Sequence, residues 1–121
     1  MINNQNKKYD LEERTAIFAE RVINLCQRCP KTVLIIPLLS QLIRAATSIG
    51  ANYCEANGAS SKKDFRNKIH ICKKEAKETQ YWLRIIGSSV NEERLKEDCR
   101  ILWQEAKELS MIFATIAAKT N

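Results

Sequence analysis

The sequence contains little of the glycine and proline that turn-rich folds need, with three glycines and two prolines among 121 residues. An all-β sandwich or barrel needs more turns than these residues provide, and disordered or fibrous chains are richer still in both types. No run of 18 or more apolar residues occurs, so we expect no membrane-spanning segment. These absences leave a helical globular protein, and the length suits one domain over residues 1–121.

The sequence has a single histidine and no pattern typical of an export signal. His70 is the only histidine, which excludes a histidine-rich metal centre and the paired-histidine sites of many hydrolases. The polar residues 1–10 lack the apolar stretch of a signal peptide, so we expect a cytoplasmic protein. In that compartment the five cysteines are expected to be reduced thiols rather than a disulfide framework.

Motifs that carry chemistry are also lacking. Cys26 and Cys29 form a lone C-x-x-C motif without the second pair of a zinc site, at a predicted helix end that does not lower a thiol pKa. Glu75 and Glu78 lie three residues apart but lack the histidines of di-iron bundles. No phosphate-binding loop, dinucleotide fingerprint or nucleophile elbow occurs. The sequence therefore predicts structural cysteines, no enzyme activity, no cofactor and no metal site.

Four apolar stripes with alternating four- and three-residue steps dominate the sequence, and this spacing is typical of helices that pack along one side. They predict helices at about 10–29, 36–57, 62–87 and 92–118. Short connections then indicate the all-α class, with an antiparallel up-down-up-down four-helix bundle. Pro30, Gly58 and Gly87 are expected to end the first three helices, and Ser61 and Asn91 to cap the last two. The stripes are Leu11, Thr15, Phe18, Val22, Leu25 and Cys29; Ile35, Leu39, Leu42, Ala46, Ile49 and Tyr53; Phe65, Ile69, Cys72, Ala76, Thr79, Leu83 and Ile86; and Leu95, Cys99, Leu102, Ala106, Leu109, Phe113 and Ile116.

Positive charge is concentrated on the third helix. The chain carries a net charge of +6, and residues 61–84 hold eight basic and three acidic side chains. Five of the cations fall within a stripe about 60° wide on a helical wheel, which we call the basic stripe. Its members are Lys62, Arg66, Lys73, Lys77 and Arg84. The stripe is either a solvated helix surface or a binding site that follows a phosphate backbone.

Two further surfaces are candidates for contacts. One is an apolar and acidic surface on the third helix that contains Glu75, Glu78 and Trp82. This surface either contacts another subunit or extends the core within the chain. A polar seam on the second helix follows the same four- and three-residue steps and includes Gln41, Ser48, Asn52 and Glu55. We expect this seam, with Arg44, to form a hydrogen-bond network that fixes helix register or a subunit interface rather than a ligand site.

The second helix also carries a family resemblance, through Gln41, Arg44, Ala45, Ser48, Ile49, Asn52, Glu55 and Ala56. Residues 41–56, together with residues 74–83, resemble the small bacterial four-helix bundle proteins known from intervening sequences of large-subunit ribosomal RNA genes. The group includes a relative that accompanies reverse transcriptases of diversity-generating retroelements. The likeness in layout covers residues 18–116 and departs from the family pattern at residues 30–36. It implies a homo-oligomer, with a pentamer suggested, and association with RNA or a reverse-transcriptase-like nucleoprotein.

Together these features predict a non-enzymatic oligomeric scaffold that binds RNA or a nucleoprotein through the basic stripe. The main alternative is a self-assembling or protein-binding module whose positive charge serves solubility. A small-molecule or metal-binding catalyst built on Glu75, Glu78 and Arg44 is a weaker alternative.

Overall fold

The protein is a bundle of four helices. The computed structural model describes the backbone of residues 3–120 and the side chains of residues 10–120. No strand occurs within the described backbone, and each helix packs against the neighbours expected for an up-down-up-down order. The predicted all-α four-helix bundle is therefore confirmed. The helices are α1 (Asn3–Arg28), α2 (Ile35–Asn57), α3 (Lys62–Ser89) and α4 (Glu93–Lys119).

The four predicted stripes form one hydrophobic core shared by all helices. Every stripe residue is buried except Phe65 and Ile116, which are half-buried near one end of the bundle. Phe18 and Phe113 are among the largest fully buried side chains, and the Phe113 ring lies 5.7 Å from that of Tyr53, between centroids. Within the described residues, no helix is both long and apolar enough to cross a membrane.

Helix ends differ from the predictions in three places. α1 begins at Asn3, before the predicted start near residue 10, because the polar residues that precede the apolar stripe give no periodic signal. α3 continues through Gly87 to Ser89. The expected cap at Asn91 is wrong, since Glu92 holds the N-cap position and makes no side-chain capping bond.

Side chains bond backbone groups at the start of α3 and at the end of α1. Ser61 caps α3 as predicted, because its hydroxyl accepts the Asp64 N–H at 3.0 Å. At the end of α1, the ammonium group of Lys31 donates to the carbonyl oxygens of Cys26, Gln27 and Cys29 at 2.6–3.1 Å. This lysine adds a side-chain donor to carbonyls at the end of α1, where the chain turns toward α2.

Gly50 allows α1 and α2 to approach closely. A Cβ atom at this position would lie 2.9 Å from Thr15 Oγ1 and 3.2 Å from Thr15 Cβ. Thr15 is fully buried, and its hydroxyl donates to the Leu11 carbonyl at 2.7 Å. Because the short threonine side chain is held in this way, it cannot move aside easily.

We expect Gly50→Ala to destabilise the protein by about 1–2 kcal/mol, although alanine ordinarily stabilises a helix interior relative to glycine. Gly58→Ala is the matched control, because the nearest heavy atom to its Cβ would be 3.8 Å away. We expect the control to be neutral or slightly stabilising. Urea unfolding measures both variants, and equal stability of the two would contradict the close approach of α1 and α2.

Candidate functional site

The basic stripe runs along the edge of α3 that adjoins α4. Lys62, Arg66, Lys77 and Arg84 are exposed, and Lys73 is half-buried. At one end, Lys62 and Arg66 line a surface cavity together with Thr120, and at the other end Arg84 lines a cavity with residues of α4. The structure therefore places the predicted stripe beside a neighbouring helix rather than on an isolated surface.

α4 contributes more cations along the same edge. Lys96, Arg100, Trp103 and Lys107 follow one another at steps of four, three and four residues, which aligns them on one side of a helix. The Lys107 ammonium lies 5.7 Å from the centroid of the Trp103 ring. These four residues were not predicted as part of the site, although their spacing is visible in the sequence beside the apolar stripe of α4.

The acidic side chains of α4 that face α1 are neutralised there. Asp98 pairs with Arg28 at 2.9 Å, and Glu105 accepts two hydrogen bonds from Arg14 at 2.7 and 2.9 Å. The hydrogen bond to Glu105 is the main reason that the pKa of Arg14 lies above its ordinary value. α4 thus presents paired charges toward α1 and cations toward α3.

The cations of α3 also differ in their ion pairing from one side of the helix to the other. On the α2 side, Lys68 pairs with Glu55 at 2.7 Å. On the α4 side, Arg66, Lys73, Lys77 and Arg84 form no ion pair with any residue between positions 10 and 120. Like charges repel one another along a surface, so this edge attracts anions.

A cavity of about 530 Å³ opens between the C-terminal part of α3 and the N-terminal part of α4. No carboxylate is among the residues that line it. Lys96 reaches across the two helices and donates to the Gly87 carbonyl at 3.0 Å. We call this cavity the aromatic pocket, and it is lined by Leu83, Arg84, Gly87, Lys96, Cys99, Arg100 and Trp103.

The polar seam on α2 is divided by the structure into local and cross-helix contacts. Ser48 donates to the Arg44 carbonyl at 2.7 Å and Asn52 to the Ser48 carbonyl at 2.8 Å, so both bond within their own helix. Glu55 crosses to Lys68 of α3, and the Gln41 side chain accepts from Arg44 at 3.4 Å. The seam residues therefore do not form one continuous network within the described chain.

Arg44 joins α2 to the acidic residues of α3. Its guanidinium contacts Glu75 at 3.3 Å and also donates to Glu78, while the Trp82 indole N–H donates to Glu78 at 3.0 Å. The hydrogen bond from Trp82, followed by that from Arg44, holds the pKa of Glu78 below its ordinary value. Glu75 is buried and Trp82 is half-buried against the core. The chain thus covers much of this surface itself, and contact with a second subunit stays a prediction.

These carboxylates have little freedom for acid–base chemistry. Arg44 and Trp82 hold Glu78 in its ionised form, and Arg44 compensates the buried charge of Glu75. No group of three or more histidine, cysteine or acidic side chains within the described residues is arranged to hold a metal ion. His70 is exposed on α3.

The cysteines of the core behave as small apolar side chains. Cys26, Cys29, Cys72 and Cys99 are buried, and Cys54 is exposed. Burial raises the pKa of both Cys26 and Cys72 to about 12 and that of Cys99 to about 11. The thiolate is the reactive form of cysteine, so these thiols resist chemical modification because they are inaccessible to solvent and protonated.

We expect iodoacetamide at about pH 8 to modify one cysteine of the native chain, Cys54, and all five after denaturation. Intact-mass spectrometry counts the adducts, and peptide mapping locates them. Rapid native modification of Cys26 or Cys29 would contradict the structural interpretation of the C-x-x-C motif. Cys54→Ser is the matched control and is expected to remain unmodified in the native state.

Comparisons with known proteins agree with the fold. The sequence matches the family described as 23S rRNA-intervening sequence protein over residues 7–114. Among curated proteins, none matches the sequence. The fold is similar to the crystal structure of a protein of unknown function from the S23 ribosomal protein family of Bacteroides thetaiotaomicron, at 32% sequence identity and a TM-score of 0.76. That likeness covers 88% of this chain and 97% of the other.

The family match spans all four helices and includes the α2 segment on which the resemblance was first based. The structural neighbour, with nearly a third of its residues identical, has the same fold over almost its whole length. The chain therefore belongs to the family of 23S rRNA-intervening sequence proteins.

Proposed function

We propose that the protein is a non-enzymatic oligomeric scaffold that binds RNA, alone or within a nucleoprotein, along the edge between α3 and α4. The observation that carries this proposal is the set of four α3 cations without an ion pair in the described chain, Arg66, Lys73, Lys77 and Arg84. Lys96, Arg100 and Lys107 of α4 extend the same edge.

Most acidic side chains of α3 and α4 that form ion pairs do so away from this edge. Glu75 and Glu78 are bound by Arg44 on the α2 side of α3, and Asp98 and Glu105 are bound by arginines of α1. None of these acids is left to neutralise the cations between α3 and α4. A polyanion that lies along this edge would relieve the repulsion and release counterions, which makes its binding salt-dependent.

The length of the edge supports a chain-like anion. Arg66 and Arg84 are 18 residues apart on a continuous helix, which corresponds to about 27 Å. Such a row suits several successive phosphates better than one small ligand. The family description, which refers to ribosomal RNA, supports RNA as the polyanion. We expect recognition by shape and charge, with most contacts to phosphates.

The test is the salt dependence of binding to an oligouridylate of about 12 nucleotides. In the variant Lys73→Glu/Lys77→Glu, we expect affinity near 0.1 M salt to fall by about tenfold or more. The slope of log K against log salt should shrink by about 1.4, because two phosphate contacts to a single strand are lost. Fluorescence anisotropy measures both quantities, and circular dichroism checks that the variant keeps its helical content.

Arg21→Glu/Arg94→Glu is the matched control. It changes the net charge equally, but both residues are exposed and lie on the α1 and α4 side of the bundle. We expect the control to bind with nearly the wild-type slope. Equal losses in the two variants would mean that overall charge, and not the α3 and α4 edge, governs binding, and a flat slope in all proteins would reject RNA binding.

A self-assembling or protein-binding module is the second candidate. Apolar side chains between α1 and α2 favour it, because Val33 is 85% exposed, Leu34 78% and Ile36 50%. Exposed apolar clusters of this kind commonly mark protein contacts. This candidate predicts a stable oligomer that carries no RNA on purification. Light scattering gives the subunit number, for which the family resemblance suggests five, and the ratio of absorbance at two wavelengths detects nucleic acid.

A further inference from the structure

We propose that the aromatic pocket receives one unpaired nucleobase of a single-stranded nucleic acid whose phosphates lie along the basic stripe. This inference rests on the proposed function and goes beyond it, because charge along an edge does not require a base-binding site. A base-binding pocket would give the site a preference for single strands over duplexes.

The size and lining of the pocket suit a flat aromatic group. Its volume of about 530 Å³ falls within the range of small-ligand sites, roughly 300–1,000 Å³. Leu83 and Cys99 are buried, and the indole of Trp103 is half-buried, so the base would meet apolar and aromatic surface. A partly exposed aromatic side chain that is supported by a core is a stacking surface for bases of any sequence.

Gly87 allows α3 and α4 to approach closely beside the pocket. The residue lies inside α3, where glycine is unfavourable relative to alanine. A Cβ atom there would approach Cys99 Cβ to 3.3 Å, within the lining of the pocket. The missing side chain therefore allows the two helices to lie close together at this point of the pocket lining.

The entrance to the pocket is cationic. Arg84 is exposed and has no ion pair within residues 10–120, and Arg100 is held only by Glu97, in a pair whose two side chains are 61% and 55% exposed. Such an exposed pair is weak and yields readily to a phosphate. Lys107, above the Trp103 ring, adds a third cation nearby. A base in the pocket would thus carry its flanking phosphates directly to these side chains.

A duplex cannot use the pocket without losing a base pair. Its bases are stacked and paired, so one of them would have to leave the helix at a cost in free energy. Backbone contacts along the basic stripe remain available to both forms. The pocket therefore predicts that single strands bind more tightly than a duplex of equal length at the same salt concentration.

The experiment compares Trp103→Leu, Trp103→Phe and the wild type in their binding to an oligouridylate, an oligodeoxythymidylate and inorganic polyphosphate. For both oligonucleotides we expect Trp103→Leu to lower affinity by about 5- to 150-fold with an unchanged salt slope, and Trp103→Phe to retain most of the affinity. Polyphosphate, which has no bases, should bind all three proteins equally. Oligouridylate should bind more tightly than the matched RNA duplex.

A spectroscopic readout separates stacking from a structural effect. In a Trp82→Phe background Trp103 is the only tryptophan, and we expect the oligonucleotides to quench its fluorescence while polyphosphate does not. Salt-dependent RNA binding that Trp103→Leu leaves unchanged would overturn the base pocket and leave the proposed function intact. Absence of RNA binding by the wild type would overturn both.

Discussion

Phe113→Ala is expected to remove about 3–5 kcal/mol from the free energy of unfolding. Phe113 has no solvent exposure, belongs to the core shared by all four helices, and contacts the ring of Tyr53 from α2. Truncation leaves a cavity and deletes an aromatic pair, and the tightly packed surroundings relax only in part. The loss is a large fraction of the 5–15 kcal/mol that stabilises most domains.

Urea unfolding of wild type and variant measures this loss. Met111→Ala is the matched control, because Met111 lies two residues away on the same helix and is 59% exposed. We expect it to change stability by less than about 0.5 kcal/mol. If Phe113→Ala fails to fold, Phe113→Leu should still fold with a loss of about 1–1.5 kcal/mol. A Phe113→Leu variant as stable as the Met111 control would contradict the packing described here.

Arg44→Ala is expected to destabilise the protein by about 2 kcal/mol near neutral pH. Glu75 is 8% exposed, and Arg44 is the one side chain in the described chain that pairs with its carboxylate. Removal of the guanidinium leaves a buried charge without compensation. Arg100→Ala, which breaks the exposed pair with Glu97, is the control and should leave the free energy of unfolding nearly unchanged.

The effect of Arg44→Ala should depend on pH. In the variant, Glu78 loses the Arg44 hydrogen bond that helps to lower its pKa and keeps the bond from Trp82. In the wild type, Glu78 has a lowered pKa, so its stabilisation is present above the unfolded pKa and is lost as the pH falls through the folded pKa.

The stability difference between the wild type and Arg44→Ala should therefore narrow as the solution is acidified below about pH 5. Urea unfolding at several pH values tests this expectation. Arg44→Ala/Glu75→Gln should recover most of the lost stability at neutral pH, because no buried charge remains. A difference that stays constant between neutral and acidic pH would mean that Arg44 acts through packing and not through its charge.

Sequence patterns predicted the parts of this protein that depend on local chemistry. The four apolar stripes, the cap at Ser61 and the burial of Cys29, Cys72 and Cys99 follow from helical periodicity and side-chain type. The predicted cap at Asn91 and the predicted end at Gly87 were wrong, because α3 continues to Ser89 and α4 begins after Glu92. Gly87 serves the approach to Cys99 instead of ending α3.

The candidate site was predicted in part. The basic stripe of α3 was visible because its five cations lie on one helix. The contribution of α4 was not recognised, since Lys96, Arg100 and Trp103 gain their significance only beside Arg84. For Arg44 the sequence predicted a place in a hydrogen-bond network, and the structure identifies Glu75 and Glu78 as its partners on α3.

The sequence by itself determined that this chain forms four amphipathic helices with a surplus of positive charge on the third, because periodicity and charge are properties of each segment alone. The tertiary structure decided which charges are neutralised and which remain together. Packing of the apolar stripes fixes the rotation of each helix, and that rotation turns Arg44 toward α3, Asp98 toward α1, and the cations of α3 and α4 toward one common edge.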